Sequence, residues 1–251
     1  MKLNELTEYL NTQLKIDKFR DYCPNGLQVE GKPEVKRIIS GVTACQQLID
    51  EAIDKQADAI LVHHGFFWKG EPEAIVGIKK QRIQALLKHD ISLLAYHLPL
   101  DSHPKWGNNV QLARVLDFDI TGPIDANDQT VPGCIGQLKQ AMTAKELSEH
   151  IGTRLNRLPQ HIGEEDDIIN TIAWCTGGAQ SYMSYAINQG IDAYLTGEIN
   201  EPSVHNARES GTHYYAAGHH ATEKGGVKSL GLLLAEEFDI EFHFVDIDNP
   251  V

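Results

Sequence analysis

Short apolar runs alternate with amphipathic segments along this chain, and this alternation constrains the fold more than any other feature. Residues 57–63 and 91–97 are apolar runs of strand length, whereas residues 45–56 place their apolar side chains at helical spacing. Continuous apolar runs are typical of parallel strands that helices cover on both faces. The sequence therefore predicts an α/β fold with mixed, largely parallel sheets.

The strand and helix pattern restarts in the second half of the chain, which indicates an internal repeat. With an offset of 134 residues, for example, Asp58 falls on Asp192. The polar segment 121–131 is a surface connection between the two halves. We therefore expect two similar α/β lobes, residues 1–125 and 126–251, that form one compact unit whose strand ends face a shared central cleft.

Charge and cysteine usage limit the partners and the compartment. The formal net charge is -13, and so acidic a surface disfavours nucleic-acid binding. A small phosphorylated substrate stays compatible with it, because a bound metal pair would be the strongest positive charge in its cleft. The four cysteines form no C-x-x-C pair, as expected for reduced thiols in a cytoplasmic protein. The N-terminus is typical of an amphipathic helix, not of a signal peptide, and we expect no association with membranes.

A histidine pair follows the apolar run that ends at residue 62. Neighbouring side chains of a regular strand point to opposite faces, so His63 and His64 can serve one site only where the strand gives way to a loop. Gly65 permits that change of direction. The alternative is one buried and one exposed histidine without a joint role.

Two further pairs have the spacing His-x-x-x-acid after an apolar strand. His97 and Asp101 flank a turn, and an offset of 122 residues places them on His219 and Glu223. Either carboxylate could instead cap the turn or helix that follows. Imidazoles and carboxylates at several strand ends of one face have the ligand count of a site for two metal ions with open positions for water. Without thiolate, such a site suits Zn, Mn, Fe, Ni or Co.

These residues, together with the run 21–31 and the segments 62–65, 196–198 and 218–223, resemble the GTP cyclohydrolase I type 2 homologues, also called the NGG-interacting-factor-like family. The resemblance covers essentially the whole chain. The chain is similar to the short bacterial form of the family, which lacks an inserted domain. It implies two divalent metal ions per subunit. Their ligands would be His63, His64, Asp101, His219 and Glu223.

The resemblance also implies a homohexameric ring and cyclohydrolase chemistry on GTP. Many members have His-Pro after the first histidine of the strand-end pair, where this chain has His64, Gly65 and Phe66. We therefore expect the shape of the pocket near Phe66, Phe67 and Trp68 to differ.

The predicted function is metal-dependent hydrolysis of a small molecule, with a purine nucleotide or a related heterocycle as one candidate substrate. Glu198 would act as general base or would orient a ligand histidine, and His97 would be an orienting residue or a further ligand. Substrate contacts are predicted for Asn25 and Gly26, which could equally form a plain turn, and for Gly177 and Gly178, whose backbone N–H groups could meet a phosphate.

Other functions compete with hydrolysis. The main alternative is a non-catalytic metal-binding or regulatory interaction protein, because metals can also serve only to stabilise a fold. Redox chemistry at a di-iron centre is a second alternative, although carboxylate-rich helix bundles are its usual setting. Nucleic-acid binding is the third, and no basic run interleaved with aromatic residues supports it.

Overall fold

Two sheets organise the chain, and each belongs to a separate compact unit. The protein is described as a computed structural model that covers all residues, 1–251. The first unit comprises Met1–Leu100 and Gly226–Asp248, and the second comprises Asp101–Gly225 and Asn249–Val251. No helix combines the length and the apolar character that a membrane crossing demands.

The helices and strands follow one another in the α/β order that the sequence predicts. In chain order they are α1 (Leu3–Leu14), β1 (Gly26–Val29), β2 (Arg37–Thr43), α2 (Gln46–Asp54), β3 (Ala59–His64), α3 (Gly77–Lys88), β4 (Ser92–Ala95), α4 (Leu98–Asp101), α5 (Asn108–Leu116), β5 (Phe118–Pro123), β6 (Cys134–Thr143), α6 (Ala144–Leu155), β7 (Gln160–Ile162), β8 (Ile168–Trp174), α7 (Met183–Asn188), β9 (Ala193–Thr196), α8 (Glu201–Ser210), β10 (His213–Ala216), α9 (His219–Glu237) and β11 (Glu241–Phe244). Short 3-10 turns cover Ile16–Lys18 and Gln180–Tyr182.

The first unit contains a five-stranded sheet of order β1-β4-β3-β2-β11. Strands β4, β3, β2 and β11 pair in parallel, and β1 is an antiparallel edge strand. Leu48 of α2 and Leu86 of α3 belong to the same buried apolar cluster as Ile60 and Val62 of β3. Burial of the central strand explains its unbroken apolar sequence.

The second unit contains a six-stranded sheet of order β5-β6-β8-β9-β10-β7. Strands β8, β9 and β10 are parallel, whereas β5, β6 and β7 add antiparallel pairs at the sides. Its core contains Trp174, Leu195 and Tyr215, all fully buried. Both sheets are mixed and are built around consecutive parallel strands, so the predicted α/β fold class is confirmed.

The internal repeat is visible in the register and in one recurring hydrogen-bond arrangement. Ile38 pairs with Ala59 in the first unit, and Ile172 pairs with Ala193 in the second, which is the same pair at an offset of 134 residues.

The aspartate that precedes the second strand of each repeat behaves alike in the two units. Asp58 Oδ2 accepts the backbone N–H groups of Lys36 and Arg37 at 2.9 and 3.0 Å. Asp192 Oδ2 accepts those of Asn170 and Thr171 at 2.9 and 2.8 Å. The shared offset therefore reflects a shared supersecondary structure.

Some predicted boundaries differ from the observed ones. The predicted division at residue 125 lies inside the second unit. Residues Gly226–Asp248 belong to the first unit and not to the second, because β11 pairs with β2. Strand β5 extends into the segment 121–131 that was predicted as a surface connection. No apolar run predicts strand β7, because its three residues show no clear alternation.

Candidate metal centre

Three histidines of the first unit come together at the carboxyl ends of neighbouring parallel strands. His63 and His64 are the last residues of β3, and His97 follows β4 after one further residue. Val62 pairs with Ala95, so these strand ends are adjacent. The ring centroid of His63 lies 4.5 Å from that of His64 and 5.0 Å from that of His97. One ligand atom from each of the three lies within 4.8 Å of the others.

Each of these imidazoles is held through its Nδ1 atom. His63 Nδ1 lies 2.8 Å from the carbonyl oxygen of Tyr96, to which only an N–H can donate. His97 Nδ1 lies 2.7 Å from Asp21 Oδ1, and His64 Nδ1 lies 3.2 Å from the hydroxyl of Thr43. When Nδ1 carries the proton, Nε2 is the nitrogen that offers a lone pair to a metal. The donor set of this unit therefore fits a divalent cation.

Gly65 follows the histidine pair at a point where the side chain of Gln28 leaves no space for a Cβ atom. A Cβ at this position would lie 2.0 Å from Gln28 Oε1. His63 is completely buried and His64 is half-buried, so their exposure is unequal. Their rings nevertheless lie side by side, which is the arrangement that a joint role requires.

Asp21 fixes the position of His97. Its side chain is 3% exposed, and it accepts hydrogen bonds from His97 Nδ1, from the N–H of Leu98 at 2.9 Å and from Asn25 Nδ2 at 2.8 Å. Burial favours a high pKa for Asp21, but the hydrogen bonds and the charge attraction of His97 outweigh burial and lower the pKa. Asp21 therefore stays ionised and holds the Nδ1 proton of His97.

Of the two neighbouring residues predicted as substrate contacts, Asn25 and Gly26, Asn25 belongs to this support. Asn25 Oδ1 accepts the backbone N–H of His97 at 2.7 Å, so its amide is engaged as donor and as acceptor. Gly26 begins β1 with a φ of +105°. Asp21, Cys23 and His97 also form a group whose ligand atoms lie within 4.8 Å.

In the second unit, His219 lies between two carboxylates. Strands β9 and β10 are parallel neighbours, Glu198 follows the first, and His219 begins α9 after the second. His219 Nδ1 lies 2.6 Å from Glu198 Oε1, and Nε2 lies 3.2 Å from Glu223 Oε2. A cation about 2.0–2.2 Å from each ligand needs donor atoms roughly 3 Å apart. His219 and Glu223 meet that condition.

The two carboxylates set the charge of the imidazole. Burial lowers the pKa of His219, but its hydrogen bonds and charge attraction to Glu223 and Glu198 outweigh burial and raise the pKa to about 9. At neutral pH the metal-free imidazole is therefore a cation, and a metal ion would take the place of its Nε2 proton.

A tight turn after β8 packs against the first turn of α9. Gly177 has a φ of +70°, and a Cβ there would lie 2.1 Å from Glu223 Oε1. The N–H of Gly177 donates to Thr222 Oγ1 at 3.1 Å, so it is directed at the helix. Gly178 lies beside Glu198, whose Oε2 accepts from Gln180 Nε2 at 2.8 Å. The turn thus supports the two carboxylates.

Asp101 is buried at the end of α4. Its Oδ1 accepts from Asn108 Nδ2 at 2.8 Å and from Thr176 Oγ1 at 3.3 Å, and its carbonyl accepts from Asn109 Nδ2 at 3.1 Å. The residue before α5 is Gly107, and no side chain caps that helix. Asp101 is therefore not the cap of α5, and its carboxylate is held by the side chains of Asn108 and Thr176.

Comparison with known proteins identifies the family. The profile of Duf34/NIF3 (NGG1p interacting factor 3) matches residues 1–250. The chain belongs to the Duf34/NIF3 family. A relative from Vibrio cholerae, called a GTP cyclohydrolase 1 type 2 homolog, is 51% identical over 249 residues, which are 98% of each chain.

Solved structures agree with this assignment. The protein ybgI, described as of unknown function, has a TM-score of 0.95 and 47% identity to this chain, and the match covers 100% of both chains. TTHA1606 from Thermus thermophilus has a TM-score of 0.89 and 32% identity over 100% of both chains. The resemblance seen in the sequence is therefore confirmed for the family and its fold.

Within this Duf34/NIF3 protein, sequence patterns found the histidines, the acids and Glu198, but they missed Asp21 and Thr176, which hold His97 and Asp101. The first unit joins His63 and His64 to His97, and the second joins His219 and Glu223 to Glu198. Asp21 and Thr176 do not have the sequence spacing that is typical of metal ligands, although Asp21 begins the run quoted for the family resemblance. Their partners are distant in sequence, which explains the omission.

Proposed function

We propose that this Duf34/NIF3 protein is a metal-dependent hydrolase. In this proposal two divalent cations per subunit are bound by the five predicted ligands, which are His63, His64, Asp101, His219 and Glu223. The observation that carries the proposal is the hydrogen bond from His219 to Glu198, with Glu223 on the other ring nitrogen. A carboxylate on the outer nitrogen of a histidine is the usual support of a metal ligand.

Divalent cations in such a site supply Lewis-acid chemistry, which activates water for attack on an electrophilic carbon or phosphorus. The chain's own residues prepare the site for that role. Asp21 and the carbonyl of Tyr96 hold the Nδ1 protons of His97 and His63. Fixed imidazoles lose little conformational freedom when a ligand binds, which favours catalysis.

Glu198 acts in this proposal as a positioning residue. Its Oε1 accepts from His219 and its Oε2 from Gln180, so both oxygens already accept hydrogen bonds. A general base needs an oxygen directed at the proton that it removes. The geometry supports orientation of His219 more than proton abstraction.

The substrate class comes from the relatives. The name of the Vibrio cholerae relative refers to GTP cyclohydrolase, so a purine nucleotide or a related heterocycle is the first substrate to test. Assembly into a homohexamer and a cytoplasmic location belong to the same proposal. None of the four cysteines forms a disulfide, as in proteins of a reducing compartment.

A non-catalytic metal-binding or regulatory role is the alternative. The burial of His63, Asp101 and Glu223 favours it, since none of them is more than 6% exposed and structural metal sites are closed. Turnover separates the two functions, because a purely structural site changes stability without accelerating a reaction.

The test combines elemental analysis with a substrate panel. The purified protein should contain two equivalents of a divalent metal, and that form should hydrolyse a member of a panel of nucleotides, pterins and phosphoesters. Glu223→Gln should lose metal and activity together, whereas Glu209→Gln, a change at an exposed position of α8, should keep both. Bound metal without turnover on the whole panel would favour the alternative.

A further inference from the structure

A cleft in the first unit lies beside the three histidines. It has a volume of about 460 Å³ and is bounded by the segment before β1 and the segment after β3. Small-molecule sites commonly have volumes of about 300–1,000 Å³. The cleft is therefore large enough for a bicyclic ring with a substituent.

Trp68 connects the cleft to the histidines. Its ring lines the cleft, and it packs edge-to-face on His97 at 5.1 Å and lies 5.8 Å from His64. Asp21 lines the same cleft and holds His97. A molecule in the cleft would consequently lie next to the imidazole group of this unit.

The walls of the cleft are aromatic. Tyr22, Phe67 and Trp68 contribute to them, and Tyr22 remains 64% exposed. The N–H of Lys69 donates to the carbonyl of Tyr22 at 2.7 Å, so the two wall segments are tied together. Aromatic faces held in this way bind flat rings by stacking.

Charged groups line the same cleft, and they would favour ligands that carry hydrogen-bond donors. Lys79 Nζ lies 5.0 Å from the centre of the Phe67 ring, and Glu71 and Glu73 are exposed carboxylates of the lining. A carboxylate accepts two parallel hydrogen bonds from a pair of adjacent N–H donors. The edge of an aminopyrimidinone ring, as in guanine or a pterin, presents such a pair.

We propose that this cleft binds a planar heteroaromatic ring with adjacent N–H donors, stacked against Trp68 and read by Glu71 or Glu73. The inference rests on the proposed function, because it names the part of the site that would hold the ring of the substrate. Stacking on Trp68 places the ring beside His97 and His64.

Calorimetric titration of the metal-loaded protein tests the inference with three probes. They are guanosine monophosphate, inosine monophosphate, which lacks the amino group, and ribose 5-phosphate, which lacks the ring. We expect guanosine monophosphate to bind about tenfold more tightly than inosine monophosphate. Ribose 5-phosphate should bind more weakly than either. Equal affinity for ribose 5-phosphate and guanosine monophosphate would overturn the proposal.

Variants locate the ring. Trp68→Ala should weaken guanosine monophosphate binding about tenfold or more, and Trp68→Phe should keep most of it. Phe244→Ala is the control, because Phe244 is, like Trp68, a half-buried aromatic residue, but it lies outside the cleft. Unchanged affinity in Trp68→Ala would overturn the proposal.

A second variant tests the proposal independently if Trp68→Ala unfolds. The double change of Glu71→Gln and Glu73→Gln alters exposed side chains, and it should abolish the preference for guanosine over inosine monophosphate. A preference that persists would overturn the assignment of the carboxylates.

Metal content is measured on the same samples. A wild-type protein that binds no metal would count against the proposed function. Binding of the ring that depends on Trp68 would, even then, support the proposal that the cleft is a ring-binding site.

Discussion

His219 donates its Nδ1–H to Glu198 over 2.6 Å, and this contact ties the end of β9 to the start of α9. The same ring presents Nε2 to Glu223 at 3.2 Å. Glu198 thus fixes which nitrogen of His219 is left for a metal. The contact makes Glu198 the most informative position for testing the metal centre.

Replacing Glu198 by Gln should weaken metal binding by about 10- to 100-fold, because the amide removes the charge that supports the ligand imidazole. Competition with a chromophoric chelator measures the affinity. Glu201→Gln, a change of a nearby exposed glutamate, should leave it unchanged. If Glu198→Gln binds metal as tightly as the wild type, the positioning role is refuted.

Metal binding should release protons at neutral pH. The pKa of His219 is raised to about 9 in the metal-free protein, so its imidazole carries a proton on Nε2 that a metal ion must displace. Calorimetric titrations in two buffers of different ionisation enthalpy should give different apparent enthalpies. Identical enthalpies in the two buffers would show that no proton leaves.

Asp21→Asn should also weaken metal binding, by about tenfold, without unfolding the protein. The amide keeps the shape of the side chain but loses the charge that holds the Nδ1 proton of His97. The same chelator competition gives the affinity, and circular dichroism checks the fold. Asp17→Asn, at an exposed position, is the control. An unchanged affinity in Asp21→Asn would remove His97 from the metal centre.

Gly177→Ala should cost stability and displace Glu223. Both Gly177 and Gly211 have positive φ values, of +70° and +75°, so Ala is strained at either position by roughly 1 kcal/mol. Only at Gly177 would the new Cβ meet a carboxylate, at 2.1 Å, whereas nothing lies within 4 Å at Gly211.

Denaturant unfolding with metal analysis separates the two contributions. Gly211→Ala should retain full metal content, and Gly177→Ala should lose a further 1–3 kcal/mol, approximately, along with bound metal. Equal behaviour of the two variants would show that the close approach of Glu223 is unimportant.

The sequence reveals much of the fold because apolar runs mark the central strands. The apolar runs at residues 57–63 and 91–97 overlap the observed strands β3 (Ala59–His64) and β4 (Ser92–Ala95). Strand β7 was missed because its three residues become a strand only through pairing with β10, which lies far along the chain. A local pattern cannot reveal such a pairing.

The same limit applies to the candidate metal centre. Histidines and acids at strand ends are visible in the sequence, since the strands themselves are. Asp21 is not, because its hydrogen bond to His97 spans 76 residues. Trp68 looked like part of a pocket only through the family resemblance. Asp21 is therefore found only by structure, whereas residues at strand ends, Glu198 among them, are found by pattern.

Asp58 and Asp192 should make stability depend on pH in the acid range. Burial favours a raised pKa in each, but hydrogen bonds from two backbone N–H groups outweigh it and lower the pKa of both carboxyls. A lowered folded-state pKa contributes stability above the unfolded value of about 3.9, and this contribution is lost as the pH falls through the folded value.

Asp58→Asn and Asp192→Asn should each lower the free energy of unfolding by about 1 kcal/mol at neutral pH, after allowance for solvent screening. The two carboxylates share no hydrogen-bond partner, so the losses should add in the double variant. The difference from the wild type should shrink as the pH falls through the lowered pKa of the two carboxyls. Asp239→Asn, at an exposed position, is the control. Urea unfolding between pH 2 and 7 measures the effect, and a constant difference across that range would mean that ionisation of these aspartates does not stabilise the repeat.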